Sequence, residues 1–426
     1  MIFRTKLTLE RDRDWSYCWD RLGMPALPLR LSRVEDEHDA KQHGGFMATK
    51  AGPLANQVGN FIVQPKPYRK FKRIHATEDS AAQMQKALNG GYRELLLEPG
   101  EHLFDRSVNC PDGTLIRGYG ATLRGLGKPV LGSEKSPLFV LGNDVGIYGA
   151  TLTHDGGKEV LFADAPYPTG LVLADCIFRQ CNLGYWLREA LIRDCLFDRA
   201  GCVIAPAGLY LRCRWQGIGP QHAWAFGFGL GSAAMIDCIF DGTDRGPIFN
   251  AINGPIEGFL SVGLACRDIN QAPNGNEILL CESGPFNNAL MLHTRISGCE
   301  SAVCQMDVSS ADCEMRDLAI NGGAGLMLAG KVSNWAVQEF ELRNGAGIYL
   351  GPDSASNKFA NGTCIDWHPG RYNQVWRNPS KLGDARRCAL WDEGRGNELA
   401  NVDVLGLAPQ YKPVVGFGRP ADEVTR

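Results

Sequence analysis

The sequence predicts an all-β protein of the solenoid class, a single-stranded right-handed parallel β-helix. A phrase of two short apolar runs, separated by a small polar bend, returns along much of the chain. The runs are too short for helices and are rich in Ile, Leu, Val and Phe, which favours strands. Glycine accounts for 51 of 426 residues, which suits a fold with several tight bends in every coil.

The spacing of the phrase supports stacked coils. Its clearest copies are Val172–Phe178, Leu191–Phe197, Leu209–Trp215 and Met235–Phe240, and the residue before the repeated cysteine serves as a marker. The ten steps between markers average about 24 residues, within the repeat length of solenoids. The markers are Gly118, Gly149, Asp175, Asp194, Arg212, Asp237, Ala265, His293, Asp317, Glu339 and Asn361.

The cysteines of the repeat are expected to form one column. Because parallel coils stack at roughly 4.8 Å, neighbouring cysteines would lie within disulfide range. Small buried apolar side chains are the simpler interpretation, and disulfides within or between subunits are the alternative. The expected column contains Cys176, Cys195, Cys213, Cys238 and Cys266.

Two segments resemble the pectin-lyase-like β-helix superfamily. Thr77–Leu88, followed by Gly90 and Gly91, is similar to its capping helix, and Ala82, Met84, Ala87 and Leu88 are expected to cover the first coil. Leu95–Phe104 and Gly113–Leu123 are similar to its opening strands. The resemblance covers roughly residues 75–405 and implies the fold. Its members include lyases, hydrolases, epimerases and phage tailspikes, so function stays open.

We expect three parts in the chain: an N-terminal arm and linker (1–74), the β-helix with its cap helix (75–405) and a C-terminal extension (406–426). The arm does not follow the repeat. Asn357–Asn361 is echoed by Asn397–Asn401, which predicts equivalent coil positions separated by an inserted loop. The tail should leave the solenoid as an extended arm or cover its end.

The composition and charge of the chain argue against several classes of binding partner. The formal net charge of −3 gives no basic field for nucleic acid, and no apolar run reaches the ~18 residues of a membrane span. The first residues lack an apolar signal core, which favours a protein kept without export, unless a signal was removed. The cysteines have no zinc-ligand spacing, so we expect neither a metal nor a cofactor.

The catalytic motifs of polygalacturonases, pectate lyases and related epimerases do not occur, and only weak candidates for catalysis remain. They are the carboxylates Asp241, Asp244, Glu257 and Asp307. A bend at Asp241–Asp244 explains the first two equally well, because Asp favours turns. Trp186, His222 and Trp224 are candidates for a sugar-stacking platform, with ordinary packing as the alternative.

The superfamily resemblance implies that ligands lie on the outer face of the first strand of each coil. Alternation along these strands predicts an apolar outward row, which suggests a subunit contact or a surface covered by the arm. A shift of one residue would change the whole set. The predicted row is Trp186, Val203, Phe249, Leu279, Val303, Met327 and Tyr349.

Two functions follow from these observations. The first is a bacteriophage virion protein (tailspike, fibre or capsid or neck decoration) that is assembled in the host cytoplasm. Such a protein would contact other virion proteins through residues 1–74, form a homotrimer and bind a host polysaccharide. The alternative is an extracellular polysaccharide-active enzyme, either a lyase or a glycosidase, which rests on fold analogy.

Overall fold

The structure is a computed structural model of the 426-residue chain. The residues that it describes are 71–126, 137–156, 159–163, 168–184, 190–201, 208–217, 226–228, 233–243, 247–250, 256–269, 280–283, 286–298, 302–303, 309–323, 325–328, 330–369 and 388–418.

The described strands pair in parallel throughout, and each coil contributes strands to three columns. This arrangement confirms the predicted parallel β-helix. The first-strand column contains β4 (Val108–Cys110), β7 (Phe139–Leu141), β10 (Glu159–Phe162), β13 (Asn182–Gly184), β18 (Phe226–Phe228), β21 (Pro247–Asn250), β25 (Leu280–Ser283), β28 (Ala302–Val303), β31 (Gly325–Leu328), β34 (Gly347–Leu350), β36 (Cys388–Asp392) and β38 (Lys412–Val415).

The second-strand and third-strand columns form one large sheet that is folded at a bend. The second-strand column contains β1 (Phe71–Ile74), β2 (Glu94–Leu97), β5 (Leu115–Arg117), β8 (Gly146–Tyr148), β11 (Val172–Ala174), β14 (Ala190–Arg193), β16 (Gly208–Leu211), β19 (Ala233–Ile236) and β23 (Phe259–Val262). The third-strand column contains β3 (Gly100–Phe104), β6 (Ala121–Gly125), β9 (Thr151–His154), β12 (Ile177–Arg179), β15 (Leu196–Asp198), β17 (Arg214–Gln216), β20 (Ile239–Asp241) and β24 (Ala265–Arg267).

In the last coils one long strand passes through the bend and belongs to both columns. These strands are β27 (Leu290–Ser297), β30 (Glu314–Asn321), β33 (Ala336–Arg343), β35 (Lys358–Ile365) and β37 (Glu398–Leu405). Four two-residue strands precede the second-strand column there: β22 (Ile256–Glu257), β26 (Phe286–Asn287), β29 (Ser310–Ala311) and β32 (Val332–Ser333).

The marker residues of the sequence repeat form the bend between the second and third strands. Asp175 and Asp194 have φ angles of 57° and 55°, in the left-handed region that Asp and Asn tolerate better than most residues. The N–H of Asp175 donates to the carbonyl of Arg193 in the next coil at 3.1 Å. The marker at Ala265 is wrong, because the bend of that coil is Gly263, with φ of 70°.

Behind the bend, the core contains a column of four thiols beside a column of stacked rings. Cys176, Cys195, Cys213 and Cys238 are buried, and none of the described cysteines forms a disulfide. Cys266 does not belong to this column, because it pairs in register with Phe240. Ring centroids lie 4.9 Å apart for Phe178–Phe197, 4.7 Å for Phe197–Trp215 and 4.5 Å for Trp215–Phe240.

A capping helix, α1 (Ser80–Asn89), covers the first coil, as the sequence predicts. Asp79 is its N-cap residue and Gly90 its C-cap residue. The buried face consists of Ala81, Met84, Ala87 and Leu88. The prediction that Ala82 would be buried is wrong, because the helix begins at Ser80 and its 3.6-residue period turns Ala82 to solvent.

The C-terminal coils confirm the echo between Asn357 and Asn397. Lys358 pairs with Glu398, and the Oδ1 atom of Asn397 accepts from the backbone N–H of Asn357 at 2.9 Å. Strand β38 pairs with β36, and the Phe417 ring lies 6.2 Å from that of Phe359. The described part of the expected C-terminal extension therefore includes a strand that continues the parallel pairing of the coils.

Candidate functional site

The bend gives the large sheet two outer faces of different chemistry. On the second-strand side, apolar side chains such as Leu191, Leu211 and Ile236 point outward and are partly exposed. On the third-strand side, the outward positions are mostly polar or charged, as at Arg179 and Asp198. A charged outer face is the better candidate for contact with a polar ligand, which favours the third-strand column as the location of a site.

Between β12 and β20 this outer face is a ladder of ion pairs. Arg179 contacts Asp198 of the next coil at 3.0 Å, and Arg214 contacts Asp241 at 2.5 Å. At the adjacent bend, the Nε and Nη2 atoms of Arg212 donate to the two oxygens of Asp194 at 2.6 and 2.8 Å. We call this region the ion-pair ladder. Its guanidinium groups are already paired with carboxylates, which leaves little for a ligand.

Between β24 and β33 the same face opens into a shallow depression of about 190 Å³. The opening has a simple cause. Long side chains stand at Arg267 and Arg343, whereas the short side chains of Ser297 and Ala319 occupy the coils between them. The depression is lined by Arg267, Arg295, Ile296, Ser297, Ala319, Ile320, Asn321, Glu341 and Arg343.

One wall of the depression is held by Asp317 at the bend. The Nη2 atom of Arg295 donates to both oxygens of Asp317 at 2.6 Å, and the Nδ1 atom of His293 lies 2.6 Å from Oδ2. Burial acts to raise the pKa of Asp317, but the hydrogen bonds with Arg295 and His293 outweigh it and lower that pKa. Asp317 therefore stays ionised and fixes the Arg295 guanidinium in place.

The opposite wall is held in the same way. The Nε and Nη2 atoms of Arg343 donate to the two oxygens of Glu341 at 2.7 and 2.8 Å. These hydrogen bonds lower the pKa of Glu341. The Oδ1 atom of Asn321 accepts from Asn344, so its amide nitrogen is the group that can donate to a ligand.

Arg267 differs from the other arginines of the depression. It is exposed, and it makes no ion pair with any residue that the structure describes. Its register neighbour on one side is Asp241, whose carboxylate is taken by Arg214. Its neighbour on the other side is Ser297. Arg267 is therefore an exposed cation at the edge of a depression that has room for a small polar group.

The arrangement suits binding better than acid–base chemistry. A glycosidase needs one carboxyl group that is protonated at neutral pH to serve as the acid. Here both Asp317 and Glu341 have lowered pKa values and paired oxygens. Among the described residues, no group of three or more His, Cys, Asp or Glu side chains is placed to hold a metal ion.

The catalytic candidates from the sequence are not brought together by the described structure. Asp241 ends β20 and is paired with Arg214, so its carboxylate is engaged. Glu257 lies in β22, where only the backbone is described. Asp244 and Asp307 lie outside the described residues, and their roles stay predictions.

Most of the predicted sugar platform and outward row also lies beyond what the structure describes. Met327 and Tyr349 are both buried within the chain, so the expected exposure does not hold at these two positions. The Tyr349 hydroxyl donates to Glu393 at 3.1 Å. Phe249 and Val303 lie in strands of described backbone. The residues outside the described ranges are Trp186, Val203, His222, Trp224 and Leu279, and the interface itself stays a prediction.

Sequence reasoning missed the depression, although a signal for it exists. The outward positions of the third strand lie two and four residues after each bend marker, as Arg295 and Ser297 do after His293. Counting in this way from Gly263 reaches Arg267. The expected ligand face was that of the first strand of each coil, so this cation on the third strand was not among the predicted site residues.

In the part of the chain that the structure describes, no helix combines the length and apolar character needed to cross a bilayer.

Known proteins are similar to this chain in fold and not in sequence. No family model matches the sequence, and no curated protein matches it. Tailspike protein 3 of bacteriophage CBA120 is similar over 88% of this chain and 68% of its own, with 9% identity and a TM-score of 0.49. The chain has an all-β parallel β-helix fold.

Two further solved structures show the same similarity. The A-module of mannuronan C-5 epimerase AlgE4 from Azotobacter vinelandii has a TM-score of 0.42 and 12% identity, covering 81% of this chain and 95% of its own. The catalytic domain of a GH87 α-1,3-glucanase has a TM-score of 0.45 and 10% identity, covering 84% and 68%. At these identities the similarity concerns the fold alone.

Proposed function

We propose that the protein is a non-catalytic, glycan-binding β-helix protein. The observation that supports this most is the depression between Arg267 and Arg343, where guanidinium, hydroxyl and amide groups surround the small side chain of Ala319. Such groups hydrogen-bond the hydroxyl and acidic substituents of sugars. The rigid coils on either side hold these groups in place without a ligand, which reduces the entropic cost of binding.

We further propose a setting for this function, namely a phage virion component such as a tailspike, fibre or decoration protein. In this proposal residues 1–74 contact other virion proteins, and the chain assembles as a homotrimer in the host cytoplasm. The absence of recognised catalytic motifs from the sequence and the engagement of Asp241 by Arg214 support a binding role over an enzymatic one.

Binding is tested with the full-length chain on an immobilised panel of bacterial surface and capsular polysaccharides. Each glycan is also incubated with the protein and assayed for two kinds of product. New reducing ends report cleavage by a glycosidase or a lyase, and ultraviolet absorbance reports the carbon–carbon double bond that only a lyase creates. We expect binding to at least one glycan with no product of either kind. Release of products would instead support the alternative, a polysaccharide lyase or glycosidase.

Assembly is tested separately by light scattering under non-reducing and reducing conditions. A trimer that survives reduction is expected, because the described cysteines are buried and free. A monomer of 46.5 kDa would contradict the homotrimer while leaving the binding proposal intact. Loss of the assembly on reduction would identify intermolecular disulfides among the remaining cysteines.

A further inference from the structure

The depression carries an inference about the class of glycan, which rests on the proposed binding function. Arg267 is the cation at its edge whose charge no described carboxylate engages. We infer that the depression binds an acidic saccharide, with the carboxylate or sulfate group of one sugar ring contacting Arg267. The ring itself lies over Ala319, between Ser297 and Asn321.

The charged groups around the depression leave one cation available to a ligand. Asp241, Asp317 and Glu341 are each held by an arginine at 2.5 to 2.7 Å, through Arg214, Arg295 and Arg343. Counting these three pairs and Arg267, four guanidinium groups face three carboxylates, and the surface carries one net positive charge. An anion that contacts Arg267 therefore does not have to displace an existing ion pair.

The spacing of the two exposed arginines suits an extended ligand. Arg267 and Arg343 occupy the same outward row, three coils apart, which places their backbones roughly 14 Å from each other. Between them stand the short polar side chains of Ser297 and Asn321. A lone inorganic anion would meet only one of the two cations, whereas a sugar chain that carries repeated acidic groups can span both.

The base of the depression has an apolar surface that suits a sugar ring. Ile296 and Ile320 line the depression with their backbones and are themselves 3% and 2% exposed. Ala319, next to Ile320 in the same strand and opposite Arg295, adds a methyl group. A sugar ring has an apolar face formed by its C–H groups as well as its polar edge. A small apolar floor with a polar rim fits such a ring better than it fits a phosphate or sulfate ion.

The experiment measures affinity by isothermal titration calorimetry for the full-length chain. The acidic probes are oligogalacturonate, oligomannuronate and chondroitin sulfate oligosaccharides, and the uncharged probes are maltohexaose and dextran. Arg267→Gln removes the free cation. Arg179→Gln, on the same outer column within the ion-pair ladder, removes the same charge from an exposed side chain outside the depression.

We expect at least one acidic probe to bind, with an affinity that falls about tenfold or more in Arg267→Gln and less than about twofold in Arg179→Gln. Free phosphate at equal charge concentration should not compete. Equal effects of the two substitutions, competition by phosphate, or binding of uncharged probes alone would overturn the inference and leave glycan binding standing. If neither class of probe nor the polysaccharide panel binds, both proposals fail.

Discussion

The outer face of the third-strand column is closed in one half of the molecule and open in the other. In the ion-pair ladder, Asp198 and Asp241 each meet an arginine of a neighbouring coil. Around the depression, Ser297 and Asn321 take the corresponding positions, and Arg267 is left without a partner among the described residues. The same backbone geometry therefore gives either a sealed surface or a candidate binding surface.

Net charge does not explain this difference. The ladder has five arginines and three aspartates and the depression three arginines and two carboxylates, so the surplus of positive charge is two in the first and one in the second. The ladder residues are Arg179, Arg193, Arg199, Arg212, Arg214, Asp194, Asp198 and Asp241. What differs is side-chain length between the coils, because only short side chains leave space for a ligand.

The interior changes between the same two regions. Behind the bends of the ladder, a small thiol such as Cys213 stands beside a large ring such as Trp215. In the later coil that contains β33 the sizes are reversed, with Phe340 next to the bend and Leu342 two residues on. Large and small side chains thus exchange places while the coil keeps its width, as dense packing requires.

The largest expected effect comes from breaking the ring column. Trp215 is fully buried and stacked between Phe197 and Phe240. Trp215→Ala should lower the free energy of unfolding by about 3–5 kcal/mol through cavity formation. Trp215→Phe is the matched control, because its neighbours are phenylalanines, and should lose less than about 1.5 kcal/mol. Equal losses in urea unfolding would show that the stack does not depend on ring volume.

The next largest effect tests whether the large ring of Phe340 requires a small residue at Gly362 in the neighbouring coil. A Cβ atom at Gly362 would lie 2.2 Å from Cζ of Phe340. Gly362→Ala should therefore destabilise the fold by about 1–3 kcal/mol through overpacking. The same substitution in a Phe340→Leu background should lose much less, so a double-mutant cycle measured by thermal unfolding should show strong coupling. Additive losses of stability would show that the side chains at positions 340 and 362 do not compete for the same space in the core.

The thiol column predicts a loss of stability at alkaline pH. Burial raises the pKa of Cys195 and Cys213 well above the ordinary value of 9.0. The unfolded chain therefore loses thiol protons from about pH 9 upward while the folded chain keeps them, and stability falls as pH rises.

The Cys195→Ala/Cys213→Ala variant isolates this contribution from lysines and tyrosines that titrate in the same range. Between pH 9 and 10.5, its free energy of unfolding should fall less steeply than that of the native chain, by up to about 1.4 kcal/mol per pH unit for each thiol removed. Parallel curves for the two proteins would show that these thiols ionise with their ordinary pKa in the folded state.

Two aspartates at the same bend position should respond in opposite directions. Asp194 is paired with Arg212 through both oxygens, so Asp194→Asn should lower the free energy of unfolding by about 1 kcal/mol at pH 7. Asp237 has a buried Oδ1 atom with no hydrogen-bond partner in the described structure, and burial raises its pKa. Its charge therefore opposes folding at neutral pH.

Asp237→Asn should consequently leave stability unchanged or raise it by up to about 1 kcal/mol at pH 7, because asparagine also tolerates the left-handed bend. The gain should disappear as pH falls through the folded pKa toward the ordinary value of 3.8, where the carboxyl group is neutral in both states. Destabilisation by both substitutions at pH 7 would show that Asp237 has a partner that compensates its burial.

The sequence was sufficient for the fold because its signal is periodic. The marker residues before Cys176 and Cys195 lie at left-handed bends, and the echo of Asn357 at Asn397 reports two stacked asparagines. Such signals depend on local backbone geometry, which repeats once in each coil. Binding surfaces of solenoids depend instead on departures from the repeat, such as Ala319 in a row of longer side chains.

The candidate site could not be found from the sequence for two physical reasons. The depression forms where the short side chains of Ser297 and Ala319 interrupt a face of longer side chains, and the period of the repeat does not report such a departure. Met327 and Tyr349, which alternation placed outward, are buried, and the Tyr349 hydroxyl donates to Glu393 in a later coil. Alternation along a strand reports which side a residue faces, but not what covers that side.

The central claim is that space between the coils creates the binding surface, and filling that space tests it most directly. Ala319→Gln puts a neutral, longer side chain into the depression, and Thr363→Gln makes the matched change in the same outward row, outside it. Affinity for the tightest-binding panel glycan should fall about tenfold or more in Ala319→Gln and stay within about twofold in Thr363→Gln, with both variants equally stable. Undiminished binding by Ala319→Gln would contradict the account and place the glycan elsewhere on the β-helix.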